Sequence, residues 1–369
     1  MTVFLNKLEN HVFMVYLALE MAHPHFLKNR LNKAQAFEKL ATENFSRKTF
    51  SFYRYVSIKD PVETRNKLFA QLESLGCLGR IYIAQEGINA QMNVPETHWD
   101  QFVDTLYAWV EFNGVPFKHA VEDPTEAFWK LTIKTKTKIV ADGLEDDTFD
   151  AADVGQHLSA LEFHEKLDEP GVVCVDMRNF YESEVGHFEG AITPDCATFR
   201  EELPMVKATL ANKKDKEVLL YCTGGIRCEK ASSYLRHHGF KNVYQLHGGI
   251  IEYAHQIKAK GLESKFKGKN YVFDDRTAER ITEDVLSHCH QCDTACDTHV
   301  NCSNQACNLL FVQCENCGKS NHGTCSSECL ELSQLPLETQ RARRAGSQKA
   351  DAMALGKSNF RRPRVSSTL

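Results

Sequence analysis

Six consecutive residues, Cys222-Thr223-Gly224-Gly225-Ile226-Arg227, carry the sharpest chemical signal in this 369-residue chain. An apolar run from Val218 to Tyr221 precedes them and a helical pattern from Cys228 to His237 follows. That order predicts a buried strand, a tight loop and a helix, with the thiol at the carboxyl end of the strand, where α/β sheets place ligands. The glycines let backbone N–H groups turn inward, the helix adds its positive end, and Arg227 adds a full charge; together they favour a thiolate. Cys222 is therefore the expected nucleophile and Arg227 its counter-charge, with Thr223, Gly224, Gly225 and Ile226 as the backbone cradle. The competing reading is a small buried cysteine that only packs. Against it, Gly-Gly and Arg in one strand-to-helix turn are costly unless an anion is held there. Cys228 reads two ways, as a thiol that resolves an oxidised Cys222 or as helix packing.

A second concentration of chemistry lies further on. Nine of the fourteen cysteines, Cys289, Cys292, Cys296, Cys302, Cys307, Cys314, Cys317, Cys325 and Cys329, fall within 41 residues, with His288, His290, His299 and His322 among them. CxxC pairs supply two metal ligands on one turn, and tetrahedral zinc takes four Cys or His ligands, so structural zinc is expected. Nine sulfurs do not divide into fours, and spacing leaves the ligand sets open. A local disulfide cluster is the alternative.

The elements that must position these residues are legible in outline. The length suggests two or three domains. Residues 1–47 read as a helical N-terminal extension. From Thr49 to Ile58 the chain is rich in aromatic and β-branched residues and predicts a strand; Asp60-Pro61 starts a helix that runs to Leu75, and Gly76 ends it. Strands follow at Arg80 to Ala84 and Ala90 to Val94, a helix from Pro95 to Val110, and a strand from Phe128 to Ala141. This β-α-β-β-α-β order predicts a ferredoxin-like, acylphosphatase-like α+β sandwich over 48–145. Over 148–261, continuous apolar strands such as Val172 to Asp176 alternate with helical patterns at Ala160 to Leu167, Phe199 to Leu203, Cys228 to His237 and Ile250 to Lys260. They predict a doubly wound parallel sheet, so the fold class is α/β. The cysteine-rich module spans 270–335, and 336–369 is a basic tail whose composition predicts disorder.

The formal net charge of −5 gives the whole chain no electrostatic case for nucleic acid. The tail is the exception: from Glu331 onward it carries eight Lys/Arg against three Asp/Glu. Val12 to Leu19 is apolar, but no basic run precedes it and Glu20 interrupts it, so no export signal is expected. No stretch reaches the roughly 18 apolar residues of a membrane span. A soluble, cytoplasmic protein without membrane association is expected.

Residues 165–261 resemble a rhodanese domain, through Val175-Asp176-Met177-Arg178, Glu184-Val185-Gly186-His187-Phe188-Glu189-Gly190-Ala191-Ile192 and Gly248-Gly249. The six-residue ring from Cys222 to Arg227 resembles that of sulfur-handling rhodaneses, whereas related phosphatases have a seven-residue ring. With Ser51-Phe52-Tyr53-Arg54-Tyr55, Ala84-Gln85-Glu86-Gly87-Ile88-Asn89-Ala90 and Cys222 through Ala231, residues 48–345 closely resemble the tRNA uridine(34) hydroxylase family. Residues 1–47 fall outside the resemblance. What it implies is oxidation of the wobble uridine of tRNA to 5-hydroxyuridine, with molecular oxygen as co-substrate and Cys222 as the essential thiol. The loop alone would suggest a sulfurtransferase carrying a Cys222 persulfide. No flavin, dinucleotide or iron motif stands out, and no motif identifies the electron donor.

A tRNA partner engaged through its anticodon loop implies aromatic stacking and phosphate contacts. Arg54, Tyr55, Lys134, Lys136 and Lys138 are the leading candidates, with Phe52, Tyr53, Trp129, Lys130 and the basic tail behind them. Alternating lysines from Lys134 to Lys138 equally fit the solvated face of a strand, and a basic tail equally fits a solubilising end.

Overall fold

Alternation decides the first unit. In the computed structural model, which describes residues 32–122, 127–144, 153–336 and 338–342, Phe50 and Phe52 point into a core while Ser51, Tyr53 and Tyr55 lie on the opposite face of the same strand. Most of the N-terminal extension and the basic tail from Arg343 lie outside the described residues. The chain divides into two compact units, 1–140 and 141–369.

In the first unit, helix α1 (Lys33–Ala41) precedes strand β1 (Arg47–Tyr55). Helix α2 (Pro61–Ser74) begins as the sequence indicates: the Asp60 side chain accepts hydrogen bonds from the amides of Val62 and Glu63 at 3.0 and 2.9 Å, and Pro61 occupies the first turn. Strands β2 (Leu78–Ala84) and β3 (Gly87–Pro95) form a hairpin, and helix α3 (Trp99–Tyr107), β4 (Lys118–His119) and β5 (Leu131–Thr135) complete the unit. The sheet order is β4-β1-β3-β2-β5. Phe50, Phe52, Ile81, Ile83, Ile88, Ala90, Met92 and Ile133 bury one sheet face against Leu68, Phe69 and Leu72 of α2 and Phe102 and Leu106 of α3.

Two details depart from the sequence reading. The last strand ends at Thr135 rather than Ala141, so Lys136 and Lys138 lie beyond the ladder. It also pairs parallel to β2, while the two-residue β4, which the sequence did not suggest, pairs antiparallel to β1 at the opposite edge. The lysine and threonine alternation mimics a longer strand, but its exposed side chains bring no packing to extend one.

In the second unit, β6 (Gln156–Leu158), α4 (Ala160–Lys166), β7 (Val173–Asp176), α5 (Phe180–Ser183), β8 (Gly186–Phe188), α6 (Phe199–Thr209), β9 (Glu217–Tyr221), α7 (Ile226–His237), β10 (Asn242–Leu246) and α8 (Gly249–Lys260) follow in order. The central sheet, β6-β10-β9-β7, is parallel throughout. α6 runs six residues past Leu203 because Pro204 is accommodated inside the helix at the loss of one ladder bond. Strands β11 (Phe266–Tyr271) and β12 (Ala278–Arg280) extend the edge formed by β8. The cysteine-rich part holds the hairpin β13 (His299–Asn301) and β14 (Leu310–Val312), then α9 (Glu315–Ser320) and α10 (Ser327–Gln334). No helix among the described residues is long and apolar enough to cross a membrane.

Candidate active site and cysteine clusters

β9 delivers Cys222 at its carboxyl end, and α7 begins four residues later behind Gly225, whose φ of 98° no β-carbon-bearing residue adopts comfortably. The Gly225 amide donates to Cys222 Sγ at 3.1 Å. The sulfur is fully buried. Burial alone would push this thiol up; the hydrogen bond with the Cys228 thiol, the Arg227 guanidinium and the amides of Arg227 and Cys228 outweigh it and hold the pKa at about 6. Cys228, buried beside it, is pushed well above the usual thiol range, first by burial and then by its bond to Cys222. The two thiols thus divide the roles, one ionised and one donating.

The loop is braced from behind. The amides of Ile250 and Ile251, in the first turn of α8, donate to the carbonyls of Cys222 and Thr223 at 3.0 and 3.2 Å. Gly249, at φ +69°, allows this approach: a β-carbon there would lie 2.5 Å from the Cys222 carbonyl oxygen and 2.6 Å from that of Thr223. Underneath, Arg178 grips Asp176 at 2.8 and 2.7 Å, both wholly buried, and the Tyr221 hydroxyl donates to Asp176 at 2.8 Å. This explains Val175-Asp176-Met177-Arg178: it anchors the strands that carry the loop.

Two acidic residues that the sequence reading did not single out complete the site. Glu182 of α5 takes both arms of Arg227, at 2.6 and 2.8 Å, in a buried bidentate pair. Arg227 also lies 5.8 Å from the Phe273 ring. Glu202 of α6 is fully buried, and neither carboxylate oxygen has a hydrogen-bond partner. Burial pushes its carboxyl well above the usual range, opposed by Arg227 and reinforced by the charges of Asp176, Glu182 and Cys222. A buried acid without a donor is cheaper neutral than ionised.

The cysteine-rich part contains two groups of sulfurs that could hold metal ions: Cys289, Cys292, Cys314 and Cys317, and Cys302, Cys307, Cys325 and Cys329, each group lying within 4.8 Å. Four thiolates at about 2.3 Å from a tetrahedral zinc lie about 3.8 Å apart. The observed Cys292–Cys314, Cys307–Cys325 and Cys325–Cys329 sulfur separations are 3.6, 3.6 and 3.7 Å, far too long for disulfides. Amides also point at the sulfurs: Cys314 N–H to Cys289 at 3.3 Å and Cys325 N–H to Cys302 at 3.4 Å. Cys296 belongs to neither group, so the expected nine metal-ligand candidates reduce to eight. The backbone around it closes a small bridge from His288 to Ala295, and its amide bonds Ser287. His290, between two of the sulfurs, meets Glu184 at 2.7 Å, and Leu310 packs on Phe180 and Tyr181, so this module rests against the segment that carries Glu182.

The other residues expected to contact a partner are dispersed. Arg54 spends one guanidinium nitrogen on the carbonyl of Asn113 at 2.6 Å. Tyr55 is half-buried, its ring centroid 6.2 Å from that of Tyr53. Lys134 and Lys136 are exposed and Lys138 is half-buried. Phe52 is in the core and is corrected from a surface contact to a packing residue.

Comparisons with known proteins divide along the same lines. Residues 47–139 match the family described as UPF0176 acylphosphatase like domain, 159–256 the Rhodanese-like domain and 267–330 the Rhodanase C-terminal family. The tRNA uridine(34) hydroxylase of Leptospira interrogans serogroup Icterohaemorrhagiae serovar Lai is 53% identical over 320 residues, 87% of each chain. Those of Pectobacterium carotovorum subsp. carotovorum and Enterobacter sp. are 51% and 50% identical over 321 residues, 87% of this chain and 90% and 92% of theirs. Among solved structures, the Alr3790 protein from Anabaena sp. is 24% identical over 30% of this chain and 91% of its own, with a TM-score of 0.25. A thiosulfate sulfurtransferase from Pseudomonas aeruginosa is 25% identical over 31% of this chain and 20% of its own, also at 0.25.

Proposed function

The chain belongs to the tRNA uridine(34) hydroxylase family, and from that premise we propose that it converts the wobble uridine of tRNA to 5-hydroxyuridine in the cytoplasm, as a monooxygenase using molecular oxygen. The observation that carries the choice of Cys222 as the essential thiol is its place at the end of β9, where the Gly225 amide donates to its sulfur beside Arg227, an environment that lowers its pKa to about 6. A thiolate of this kind adds to C6 of a uracil ring, which makes C5 electron-rich, and Arg227, held on both arms by Glu182, has only its remaining N–H groups to steady the enolate that develops.

Inserting one oxygen atom from O₂ leaves the other to be reduced to water, which takes two electrons and two protons. The Cys222–Cys228 pair holds the two electrons and the Cys228 proton, and solvent supplies the second proton; once C5 carries the hydroxyl, loss of the C5 proton expels Cys222 from C6, oxidation of the two thiols to a disulfide balances the reaction, and an external thiol restores the pair. Their hydrogen bond supports Cys228 as the resolving thiol. For the two cysteine groups we assign structural zinc, which Cys289, Cys292, Cys314 and Cys317 and Cys302, Cys307, Cys325 and Cys329 would hold; bound by four thiolates it would supply folding energy rather than chemistry. Arg54, Tyr55, Lys134, Lys136 and Lys138 remain our candidates for contacts with the anticodon loop.

Nucleoside analysis of tRNA from cells lacking the protein tests the reading. Hydroxyuridine should be missing, return with the wild type and stay missing with Cys222→Ala. Wild type that fails to restore it sinks the assignment. Mass spectrometry of the loop peptide after turnover should show a 222–228 disulfide; a Cys222 persulfide would favour the sulfurtransferase reading instead.

A further inference from the structure

The ladder registers of the first unit place one set of side chains on the sheet face opposite its helices. Reading across the strands, Lys118 sits opposite Ser51 and Ser51 opposite Gln91; Gln91 faces Arg80, and Arg80 lies beside Thr132. One rung along, Tyr53 sits opposite Asn89, Asn89 opposite Tyr82, and Tyr82 beside Lys134. Tyr55 ends the row. These positions hold three tyrosines, three cations and two amides, and not one Asp or Glu.

The alternate positions form the core, with α2 and α3 packed on them, so the polar row is the face those helices leave uncovered. Tyr53, Tyr55 and Tyr82 are half-buried, their ring bodies supported and part of each left accessible, while Arg80, Lys134 and Lys136 are exposed. Lys118 Nζ lies 4.2 Å from the Tyr53 ring centroid and Lys136 Nζ 5.4 Å from that of Tyr82, so cations flank two of the three rings. A sheet of this composition is unusual on a chain with a net charge of −5. Charge that is locally positive on a globally acidic molecule concentrates a polyanion in one place rather than everywhere.

We propose that this face, centred on Tyr53, Tyr82, Arg80 and Lys134, binds unpaired nucleotides of the tRNA substrate, with bases stacked on the tyrosines and phosphates on the cations. The inference rests on the proposed function and extends it from the reacting base to the neighbours that hold it. Flat rings on a rigid sheet suit single-stranded bases, since every base offers a π face. The amides between the rings hold one another: Gln91 Nε2 donates to Asn89 Oδ1 at 2.7 Å and Asn89 Nδ2 to the Ile139 carbonyl at 3.2 Å, which stiffens the surface on which the rings sit. The exposed cations, Arg80 and Lys134, meet the backbone, while Lys118 is buried against the Tyr53 ring. A protein partner would find here no apolar surface to bury; a duplex would offer its stacked bases to no ring.

The test uses the full-length protein and a labelled synthetic anticodon stem-loop, with binding read by anisotropy and turnover by hydroxyuridine formed. Tyr53→Ala and Tyr82→Ala should each weaken binding by roughly ten-fold, with Tyr82→Phe close to wild type. Arg80→Glu and Lys134→Glu should each lower the slope of log affinity against log salt by about 0.7. In all of them KM for tRNA should rise while kcat at saturation and the Cys222 titration stay in place, which a merely misfolded variant would not show. Alanine variants that melt like wild type yet bind and turn over like it overturn the face while leaving the hydroxylase reading intact. So does loss of a protein partner from the variants with RNA binding unchanged. Wild type that binds the stem-loop through these residues but forms no hydroxyuridine overturns the hydroxylase reading instead and leaves the face standing.

Discussion

Replacing both members of the buried pair, Glu182→Gln together with Arg227→Gln, removes the positive charge from the loop without stranding a negative one. The double change matters: removing only Arg227 would leave the Glu182 carboxylate buried and unpaired, at a cost of roughly 3–5 kcal/mol. In the wild type a pKa of about 6 makes about 90% of Cys222 thiolate at pH 7. Burial, the largest influence and a raising one, survives the substitution, as do the Cys228 hydrogen bond and the loop amides, while the Arg227 charge is lost. The pKa should rise from about 6 toward the ordinary thiol value of about 8.5, at which about 3% would be thiolate at pH 7. Activity carried by the thiolate therefore falls at pH 7, by up to about 30-fold. Ultraviolet thiolate absorbance, with the matching Cys222→Ala protein as blank, gives the midpoint directly. Stability offers a second reading. Because the folded pKa lies below the unfolded one, ionisation stabilises the fold fully above about pH 8.5 and is lost as pH falls through about 6. The wild type should lose up to about 3 kcal/mol across that window, and the double variant should not. A titration midpoint that stays near 6 in the double variant would refute the electrostatic account of the loop.

Three further outcomes follow from the same structure. Glu202, raised by burial, stabilises the fold fully only below its unfolded pKa of about 4.3, and that advantage is lost as pH rises, by about 1.4 kcal/mol per pH unit. Glu202→Gln should match wild type in urea unfolding near pH 4 and exceed it increasingly toward pH 7; parallel curves would refute the neutral assignment. Gly249→Ala forces a β-carbon onto the carbonyls of Cys222 and Thr223 at a positive φ. It should cost roughly 2–4 kcal/mol and raise the Cys222 midpoint, and an unshifted midpoint would show that the brace does not shape the cradle. A zinc chelator should expose the eight grouped thiols to a disulfide reagent, while Cys296 reacts before and after alike; a Cys296 signal that appears only with chelation would place it among the ligands.

What could be read in the sequence was whatever sits close together in it. The Cys222–Arg227 loop is six residues long, and its strand, glycines and helix all lie within one stretch of chain, so its chemistry was visible. Glu182 was not, because its partnership with Arg227 spans 45 residues and a four-residue helix carries little periodic signal. Glu202 resembled an ordinary helix-surface acid; only the packing of α6 reveals that it is buried. Tyr53 and Phe52 looked equally available in Ser51-Phe52-Tyr53-Arg54-Tyr55, and the pleat separated them, sending one to the core and one to the open face. The sheet edges misled for the opposite reason: the alternation from Lys134 to Lys138 imitates a strand, and the two-residue β4 is too short to leave a pattern.

The order of the eight metal-group cysteines along the chain alternates by pairs. The first pair, Cys289 and Cys292, and the third, Cys314 and Cys317, belong to one group; the second and fourth, Cys302 with Cys307 and Cys325 with Cys329, belong to the other. The loops closing the two groups therefore interlock, and neither half of the module can be cut out as an independent finger. Forming either site draws together the ends of a segment that contains part of the other, which shortens the remaining closure. Metal uptake should accordingly be cooperative, with half-loaded protein scarce, and a single cysteine substitution in one group should release ions from both.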